Sequence, residues 1–346
     1  MKIDKYDFEK NQGVFIVAEL SANHNGRLET AKETIRAAKR AGADAIKLQT
    51  YTPDTMTIDC KKDDFKIKQG TIWDGKYLYD LYKDSYTPWE WHPELFRTAE
   101  EEGLICFSTP FDKTAVDFLE ELKVPAYKIA SFEITDIPLI EYVASKGKPV
   151  IFSTGIAGLE DIKLAVDTCR LKGNNQIILL KCTSSYPAPI EESNLAMIQD
   201  MAMRFGVISG LSDHTLGITV PIAATVLGAR IIEKHFILNR SIGGPDASFS
   251  LDEQTFSAMV KAVREAEQAV GRVDYSLTEK MKKAREFSRS IYVVKDIKAG
   301  EKITEENVRC IRPSYGLHPR YYWEILGKRV KNDLKFGDPI NWANIL

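Results

Sequence analysis

Residues 207–251, VISGLSDHTLGITVPIAATVLGARIIEKHFILNRSIGGPDASFSL, contain the pattern that decides the fold. Two apolar runs end at His214 and His235, and a small-residue helical segment separates them. If both runs are parallel strands joined by that helix, the two imidazoles leave the same edge of one sheet. Three carboxylates flank them: Asp213, Glu233 and Asp246. A single such histidine is more often structural, but two at equivalent positions of adjacent βα units favour a divalent-metal site.

The rest of the chain repeats this alternation of apolar run and helix. Six further runs, apolar on both faces as buried parallel strands are, read VFIVAEL (14–20), DAIKLQT (44–50), LICFSTP (104–110), AYKIAS (126–131), PVIFSTG (149–155) and QIILLKCTS (176–184). Eight strand–helix units predict a closed (β/α)₈ TIM barrel. A doubly wound open sheet is the alternative, but no GxGxxG follows the first strand.

The chain length leaves room for a second domain. With 346 residues it exceeds the ~250 of a typical barrel. We expect the barrel to occupy residues 1–271 and a basic connector residues 272–288. Residues 289–346 have short strand-like runs and turns, which predict a small β-rich domain.

Composition excludes several classes of protein. The chain is 44% hydrophobic and 28% charged, with a formal net charge of −2 and interspersed charges, so neither nucleic-acid nor membrane binding is indicated. No apolar run approaches the ~18 residues of a membrane span, and the polar start lacks a signal-peptide core. The five cysteines are scattered without a CxxC, which is typical of reduced thiols in a cytoplasmic protein.

One long insertion interrupts the alternation, between the second and third strands. Residues 53 to 89 are rich in Trp and Tyr and include GTIWDGKYLYDLYKDSYTPW. So many aromatic rings predict that the segment packs over the barrel mouth as a lid or substrate wall. The alternative is a surface excursion that fills a groove between helices.

Polar side chains at the strand ends indicate the chemistry, because active sites of such barrels lie at the carboxyl ends of the strands. Two lysines with several hydroxyls suit a phosphate dianion. Lys47 and Lys128 lie inside apolar strands, where a lysine is costly unless paired. Pairing with an acidic neighbour is the structural alternative for either, and a Schiff-base aldolase could use one of them.

Three further residues have two open interpretations each. Glu19, on an apolar strand, suits acid–base work or a bond to a substrate hydroxyl, and equally a salt bridge to Lys47. Tyr186 could line a sugar pocket or pack on the barrel rim. Asp246 follows two glycines and could bind substrate or cap a turn.

The ordered motifs AELSANHNG, KLQTYTPDTM, FSTPFD, YKIAS, STGIA, CTSSYPAP, GLSDHTLG, EKHF and GPDASFSL resemble the sialic acid synthase family. SRSIYVVKDIKAGEKITEENVRCIRPSYG resembles the antifreeze-like (SAF) domain of those enzymes. The resemblance implies that the protein condenses phosphoenolpyruvate with an acetamido sugar aldehyde. The products would be a nine-carbon 2-keto sugar acid and phosphate.

The resemblance also implies roles for individual residues. His214 and His235 would hold Mn²⁺, with Mg²⁺ or Co²⁺ as alternatives. Phosphoenolpyruvate would be bound by Lys47, Thr109, Lys128, Ser131, Ser153, Ser184 and Ser212, with Gln49 a further substrate-binding candidate. Sialate-making members commonly have Asn at the position of Ser184. Glu19 would bind or activate the sugar, and Tyr186 and Asp246 would contact it. Arg312 would enter the barrel of a partner subunit, which implies a domain-swapped homodimer.

Within the family, the aromatic insertion and GGPDASFSLDE resemble the pseudaminate branch. Its sugar would be 2,4-diacetamido-2,4,6-trideoxy-altrose, which is more apolar than N-acetylmannosamine and suits an aromatic wall. The N-acetylneuraminate and legionaminate branches are the alternatives. Outside the family, a Schiff-base aldolase or a non-catalytic carbohydrate-binding protein would be the competing function.

Overall fold

The computed structural model describes residues 1–68, 70 and 73–346, which form two compact units, Met1–Gly271 and Arg272–Leu346. The strands are β1 Lys2–Ile3, β2 Tyr6–Asp7, β3 Phe15–Glu19, β4 Ala45–Thr50, β5 Ile105–Pro110, β6 Tyr127–Ile129, β7 Val150–Ser153, β8 Ile177–Cys182, β9 Ile208–Asp213, β10 Ile231–His235, β11 Ser290–Val293 and β12 Val308–Ile311. The α-helices are α1 Leu28–Arg40, α2 Pro53–Met56, α3 Leu78–Ser85, α4 His92–Glu101, α5 Lys113–Glu121, α6 Ile137–Ser145, α7 Leu159–Leu171, α8 Met197–Phe205, α9 Thr219–Val226, α10 Glu253–Val270, α11 Glu279–Ala284 and α12 Tyr322–Ile325.

Strands β3 to β10 form a closed parallel barrel, so the predicted TIM barrel is confirmed and the open-sheet alternative is wrong. The barrel closes where β10 pairs with β3, from Ile231 opposite Phe15 to His235 opposite Glu19. A close approach between β9 and β10 requires a glycine. A Cβ on Gly210 would lie 2.2 Å from the carbonyl oxygen of Ile231, so any larger residue would separate the strands.

The barrel interior changes from apolar to polar along the strands. Inward side chains in the amino-terminal layers form one buried apolar cluster that includes Phe15, Ala45, Phe107 and Ile151. Since strand side chains alternate between faces, inward positions further along the same strands carry Glu19, beyond Val17, and Lys47. The apolar layers support the fold, and the polar layer at the carboxyl ends holds the candidate site.

The helices cover the barrel with periodic apolar faces. Helix α1 buries Ala31, Ile35 and Ala38, at the spacing of one helix face, in the cluster between sheet and helices. The Asp112 side chain begins α5 by accepting hydrogen bonds from the backbone N–H groups of Thr114 and Ala115, each at 3.0 Å. Across the described part of the chain, no helix combines the length and apolarity needed to cross a bilayer.

The polar start of the chain forms a small hairpin of β1 and β2 that pattern reasoning missed. Ile3 and Phe8 are buried and join the apolar cluster inside the barrel, where Phe8 contacts Phe15 at 6.0 Å between ring centroids. The sequence gives only a weak signal for this hairpin, because the few apolar residues that pack against the barrel are surrounded by charged ones.

The aromatic insertion contains α2 and α3; its residues Gln69, Thr71 and Ile72 lie outside the described part of the structure. Trp89 stacks on Phe118 of α5 at 4.9 Å, and its Nε1 donates to the carbonyl oxygen of Tyr51 at 3.1 Å. Tyr82 of α3 contacts the Tyr51 ring at 5.8 Å. The insertion therefore packs at the carboxyl end of β4.

The second unit has its own core and an antiparallel pair, β11 with β12. Ile291, Val308 and Val330 are buried in that core. The predicted β-rich character of the C-terminal domain is confirmed. Helix α11 lies within residues 272–288, where the sequence suggests only a connector.

Candidate active site at the carboxyl ends of the barrel strands

The centre of the polar layer is a buried cluster of two lysines and two glutamates. The Lys47 ammonium contacts the Glu19 carboxylate and lies 3.1 Å from Glu233 Oε1. Lys128 Nζ lies 3.9 Å from the same oxygen, and Ser212 Oγ donates to it at 3.1 Å. The salt bridge between Glu19 and Lys47, offered above as a structural interpretation, is thus present.

Electrostatics keep two members of this cluster, Lys47 and Glu233, ionised. Burial raises the pKa of Glu233, but Lys128 and Lys47 outweigh it and hold that pKa below its usual range. Burial lowers the pKa of Lys47 to about 8, although Glu233 opposes the shift. At neutral pH the cluster therefore keeps Lys47 cationic and Glu233 anionic.

Hydroxyl groups from three strand ends converge beside Lys128. Its Nζ donates to Ser153 Oγ at 2.6 Å, and the backbone N–H of Gly155 donates to Ser131 Oγ at 3.1 Å. A Cβ on Gly155 would lie 2.1 Å from Ser184 Oγ and 2.8 Å from Ser131 Oγ. Only glycine leaves room for these hydroxyls to share one space, which is a suitable cradle for an anion.

Two other predicted residues lie on neighbouring strands of this layer. Thr109 Oγ1 is 3.4 Å from Lys47 Nζ. Gln49 is opposite Thr109 in the register of β4 with β5 and is partly exposed. The barrel therefore brings all the predicted phosphoenolpyruvate residues to one end.

His214 and His235 lie side by side, with ring centroids 5.3 Å apart. His214 Nδ1 donates to the carbonyl oxygen of Thr183 at 3.0 Å, and His235 Nδ1 is 3.7 Å from Asp246 Oδ2. The hydrogen bond to Thr183 orients the His214 ring and leaves its Nε2 for a metal, whereas His235 Nδ1 has no hydrogen-bond partner in the described part of the chain. Burial and the nearby cations lower the pKa of His235 well below its usual value, so this imidazole is neutral.

The histidine pair alone is a partial ligand set. Among residues 1–68, 70 and 73–346, no three His, Cys, Asp or Glu side chains are grouped to hold a metal. An ion held by the two imidazoles would take its remaining ligands from water or substrate oxygens. The pair therefore fits a catalytic ion with open positions.

An aromatic wall runs from the histidines to the insertion. Tyr186 contacts the His214 ring at 4.4 Å, Phe249 at 5.3 Å and Trp73 at 5.7 Å. Phe249 also contacts the His235 ring at 5.0 Å. Trp73 belongs to the insertion, so this segment reaches the barrel mouth.

Asp246 is buried beside this wall. Burial raises the pKa of its carboxyl group, although a hydrogen bond from Ser21 opposes the shift. Arg312 is different from every other predicted site residue, because it belongs to the second unit, where it is exposed.

The sequence drew attention to Glu233 only as a neighbour of the histidines, and it missed Cys182. A carboxylate within the apolar run RIIEKHF was the available signal for Glu233. Cys182 Sγ lies 3.7 Å from His214 Nδ1 and 3.4 Å from Ser131 Oγ. No local pattern marks this cysteine, since only the packing of adjacent strand ends places it there.

Comparison with known proteins assigns the chain to a family. The NeuB family model matches residues 34–275, more than half of the chain, and the SAF domain model matches residues 288–346. The chain belongs to the NeuB family. The family and domain resemblances found in the sequence are thereby confirmed.

Individual relatives cover nearly the whole chain. The pseudaminic acid synthase of Campylobacter jejuni (serotype O:2) is 51% identical over 334 residues, covering 96% of this chain and 97% of that protein. The N,N'-diacetyllegionaminic acid synthase of Legionella pneumophila is 36% identical over 96% of this chain and 94% of its own length. The crystal structure of Bacillus subtilis spore coat polysaccharide biosynthesis protein SpsE superposes with a TM-score of 0.65 at 35% identity, covering 97% of this chain and 96% of that one.

Proposed function

We propose that this protein catalyses the pseudaminic acid synthase reaction. Phosphoenolpyruvate, 2,4-diacetamido-2,4,6-trideoxy-altrose and water react to give pseudaminic acid and phosphate. The half-identical pseudaminic acid synthase, matched over almost the full length of both chains, carries this proposal. The legionaminic acid synthase is more distant, and no other class of function is needed to explain the site.

Phosphoenolpyruvate would lie over the buried lysines with its anionic groups in the hydroxyl cradle. Lys47 and Lys128 supply two cations, and Ser131, Ser153 and Ser184 supply donors around Gly155. In the free protein Glu233 provides the counter-charge that keeps two lysines stable in a buried layer. Ser212 and Thr109 complete the set at its edge.

His214 and His235 would hold a divalent ion, and the family resemblance favours Mn²⁺, with Mg²⁺ or Co²⁺ as alternatives. Imidazole nitrogen by itself suits a transition metal better than Mg²⁺. Such an ion supplies Lewis-acid polarisation of the sugar aldehyde. The protein's own contribution is to fix the His214 ring through the carbonyl oxygen of Thr183 and to place the Asp246 carboxylate 3.7 Å from the His235 ring.

The sugar would lie along the aromatic wall. With its aldehyde end at the histidines, the chain of carbons extends past Tyr186 towards Trp73. Those rings suit the methyl group of a 6-deoxy sugar better than the hydroxymethyl group of N-acetylmannosamine. Glu19 and Asp246 are the carboxylates at hand for its hydroxyls.

The bond-forming steps follow from this placement. C3 of phosphoenolpyruvate attacks the aldehyde carbon, and C2 becomes oxocarbenium-like. Water adds to C2, and the tetrahedral intermediate releases phosphate by cleavage of the C–O bond. The buried lysines offset the charge on the phosphate throughout.

We also propose that Arg312 acts on the sugar of a partner subunit in a domain-swapped homodimer. Its exposed guanidinium on the second unit supports this. Arg312→Ala should raise the sugar KM at least about tenfold, the loss of one charge-assisted hydrogen bond. Arg320→Ala, an exposed arginine of the same unit, is the control. An unchanged KM in the first variant, or a monomer by light scattering, would count against the swap.

The main proposal is tested by measuring phosphate release from phosphoenolpyruvate in the presence of Mn²⁺. The diacetamido-trideoxy-altrose and N-acetylmannosamine are supplied in separate reactions. Release with the diacetamido-trideoxy-altrose alone supports the pseudaminate reaction. Release only with N-acetylmannosamine, or trapping of Lys47 or Lys128 by borohydride in the presence of EDTA, would show a different enzyme.

A further inference from the structure

Glu133 carries a buried carboxylate that none of the roles above uses. It follows β6 in a short 3₁₀ turn, Ser131–Glu133. Its Oε2 is buried and has no hydrogen-bond partner in the part of the chain that the structure describes. An orphaned carboxylate oxygen is costly, because such groups are normally hydrogen-bonded when they leave water. A ligand at the site is one explanation for retaining it.

Titratable groups of several elements interact electrostatically with this carboxylate. Lys128 of β6 and Asp136 of the following loop act on its charge. Its own charge in turn acts on the phenols of Tyr82 in α3 and Tyr186 beyond β8. Glu133 also shares its turn with Ser131, whose Oγ accepts from the backbone N–H of Gly155 in the hydroxyl cradle, so the carboxylate borders the anion-binding layer. That is the region in which the two substrates of the proposed reaction would meet.

These surroundings set the protonation state of the Glu133 carboxyl group. Burial raises the pKa of Glu133 to about 7, although Lys128 opposes the shift. The group can therefore be neutral or charged near neutral pH, as a residue that both gives and takes a proton must be.

We propose that Glu133 is the proton shuttle of the condensation. When C3 forms its bond to the aldehyde carbon, the carbonyl π pair moves to the aldehyde oxygen, which takes the proton of the Glu133 carboxyl. When water then bonds to C2, the resulting carboxylate accepts the proton that the water loses. The proton given in the first step is recovered in the second, so the enzyme returns to its starting state. This inference rests on the proposed function.

The Glu133→Gln substitution keeps the size and shape of the side chain and removes the carboxyl proton that the proposed reaction transfers. We expect kcat to fall about 10²–10⁴-fold, with the KM for phosphoenolpyruvate changed less than about threefold. In the unaltered enzyme kcat should fall between about pH 7 and 8, below the loss of the Lys47 charge, because the protonated form of Glu133 starts the reaction; in the variant the decline in that pH range should be absent. Glu141→Gln, an exposed glutamate on the following helix α6, is the matched control.

The measured kcat and KM distinguish a proton shuttle from a residue that only orients Lys128. A large rise in the KM for phosphoenolpyruvate with little loss of kcat would mean that Glu133 only orients Lys128, and the shuttle would be wrong. Near-normal kcat in a folded Glu133→Gln protein would also overturn it. Absence of phosphate release from the unaltered enzyme with every sugar would instead refute the proposed function itself. Circular dichroism and phosphoenolpyruvate binding confirm that the variant is folded.

Discussion

Lys128→Met tests the anion-binding layer most directly. Lys128 is 1% exposed, and Met occupies a similar length of apolar space without a charge. The variant removes the donor to Ser153 Oγ, at 2.6 Å, and the cation that lies 3.9 Å from Glu233. Glu233 keeps Lys47 at 3.1 Å, so its charge remains paired and the barrel should still fold.

The magnitude follows from the lost contact to substrate. A hydrogen bond to a charged group contributes about 1.5–3 kcal/mol. At about 1.4 kcal/mol per factor of ten, the Kd for phosphoenolpyruvate should rise roughly 10–150-fold. Phosphoenolpyruvate binding by calorimetry measures this without turnover, and phosphate release gives the matching KM.

Lys148→Met is the matched control. Lys148 also pairs with a carboxylate, Glu120 at 2.7 Å, but it precedes β7 at the opposite end of the barrel. We expect its phosphoenolpyruvate affinity to stay within about twofold of normal. Equal effects of the two substitutions, or an unchanged Kd in folded Lys128→Met, would refute an anion site over Lys128.

Three other outcomes are expected. Gly155→Ala should raise the KM for phosphoenolpyruvate about tenfold, because the new Cβ overlaps Ser184 Oγ at 2.1 Å, whereas Gly158→Ala, whose nearest contact would be 3.5 Å, should not change it. Trp73→Ala should lower kcat/KM for the diacetamido sugar about 5–30-fold and leave the Kd for phosphoenolpyruvate little changed, since the wall contacts the C6 methyl group of the sugar; an equal loss of phosphoenolpyruvate affinity would make Trp73 merely structural. The barrel should lose stability in acid because burial lowers the pKa of His92 to about 4, while the unfolded histidine keeps about 6.5. The contribution of neutral His92 to the free energy of unfolding is present above about pH 6.5 and is lost as pH falls towards 4. At pH 5 the free energy of unfolding should be about 2 kcal/mol lower than at pH 7 from this cause. Urea unfolding of His92→Gln at both pH values should show a smaller decline, and an unchanged decline would contradict this cause.

Much of the fold could be predicted because parallel strands have a strong local pattern. Each barrel strand from β3 to β10 was an apolar run with a polar residue at its end. The hairpin of β1 and β2 could not be predicted, since its few apolar residues among charges gain their burial from the barrel floor. The position of the insertion followed from aromatic content, but the contact of Trp73 with Tyr186 required the folded chain.

The sequence by itself determined the order of strands and helices, the residue at each strand end and the family to which those motifs belong. Side-chain alternation and helix periodicity are local, so they are readable along the chain. Tertiary structure alone decided which strand ends meet. Closure of β10 onto β3 brings Glu233 and Glu19 to the same lysine, and the turn after β6 brings Ser131 to Gly155 with Glu133 two residues further on. Such charge pairs depend on distances across the barrel, which no local pattern of residues encodes.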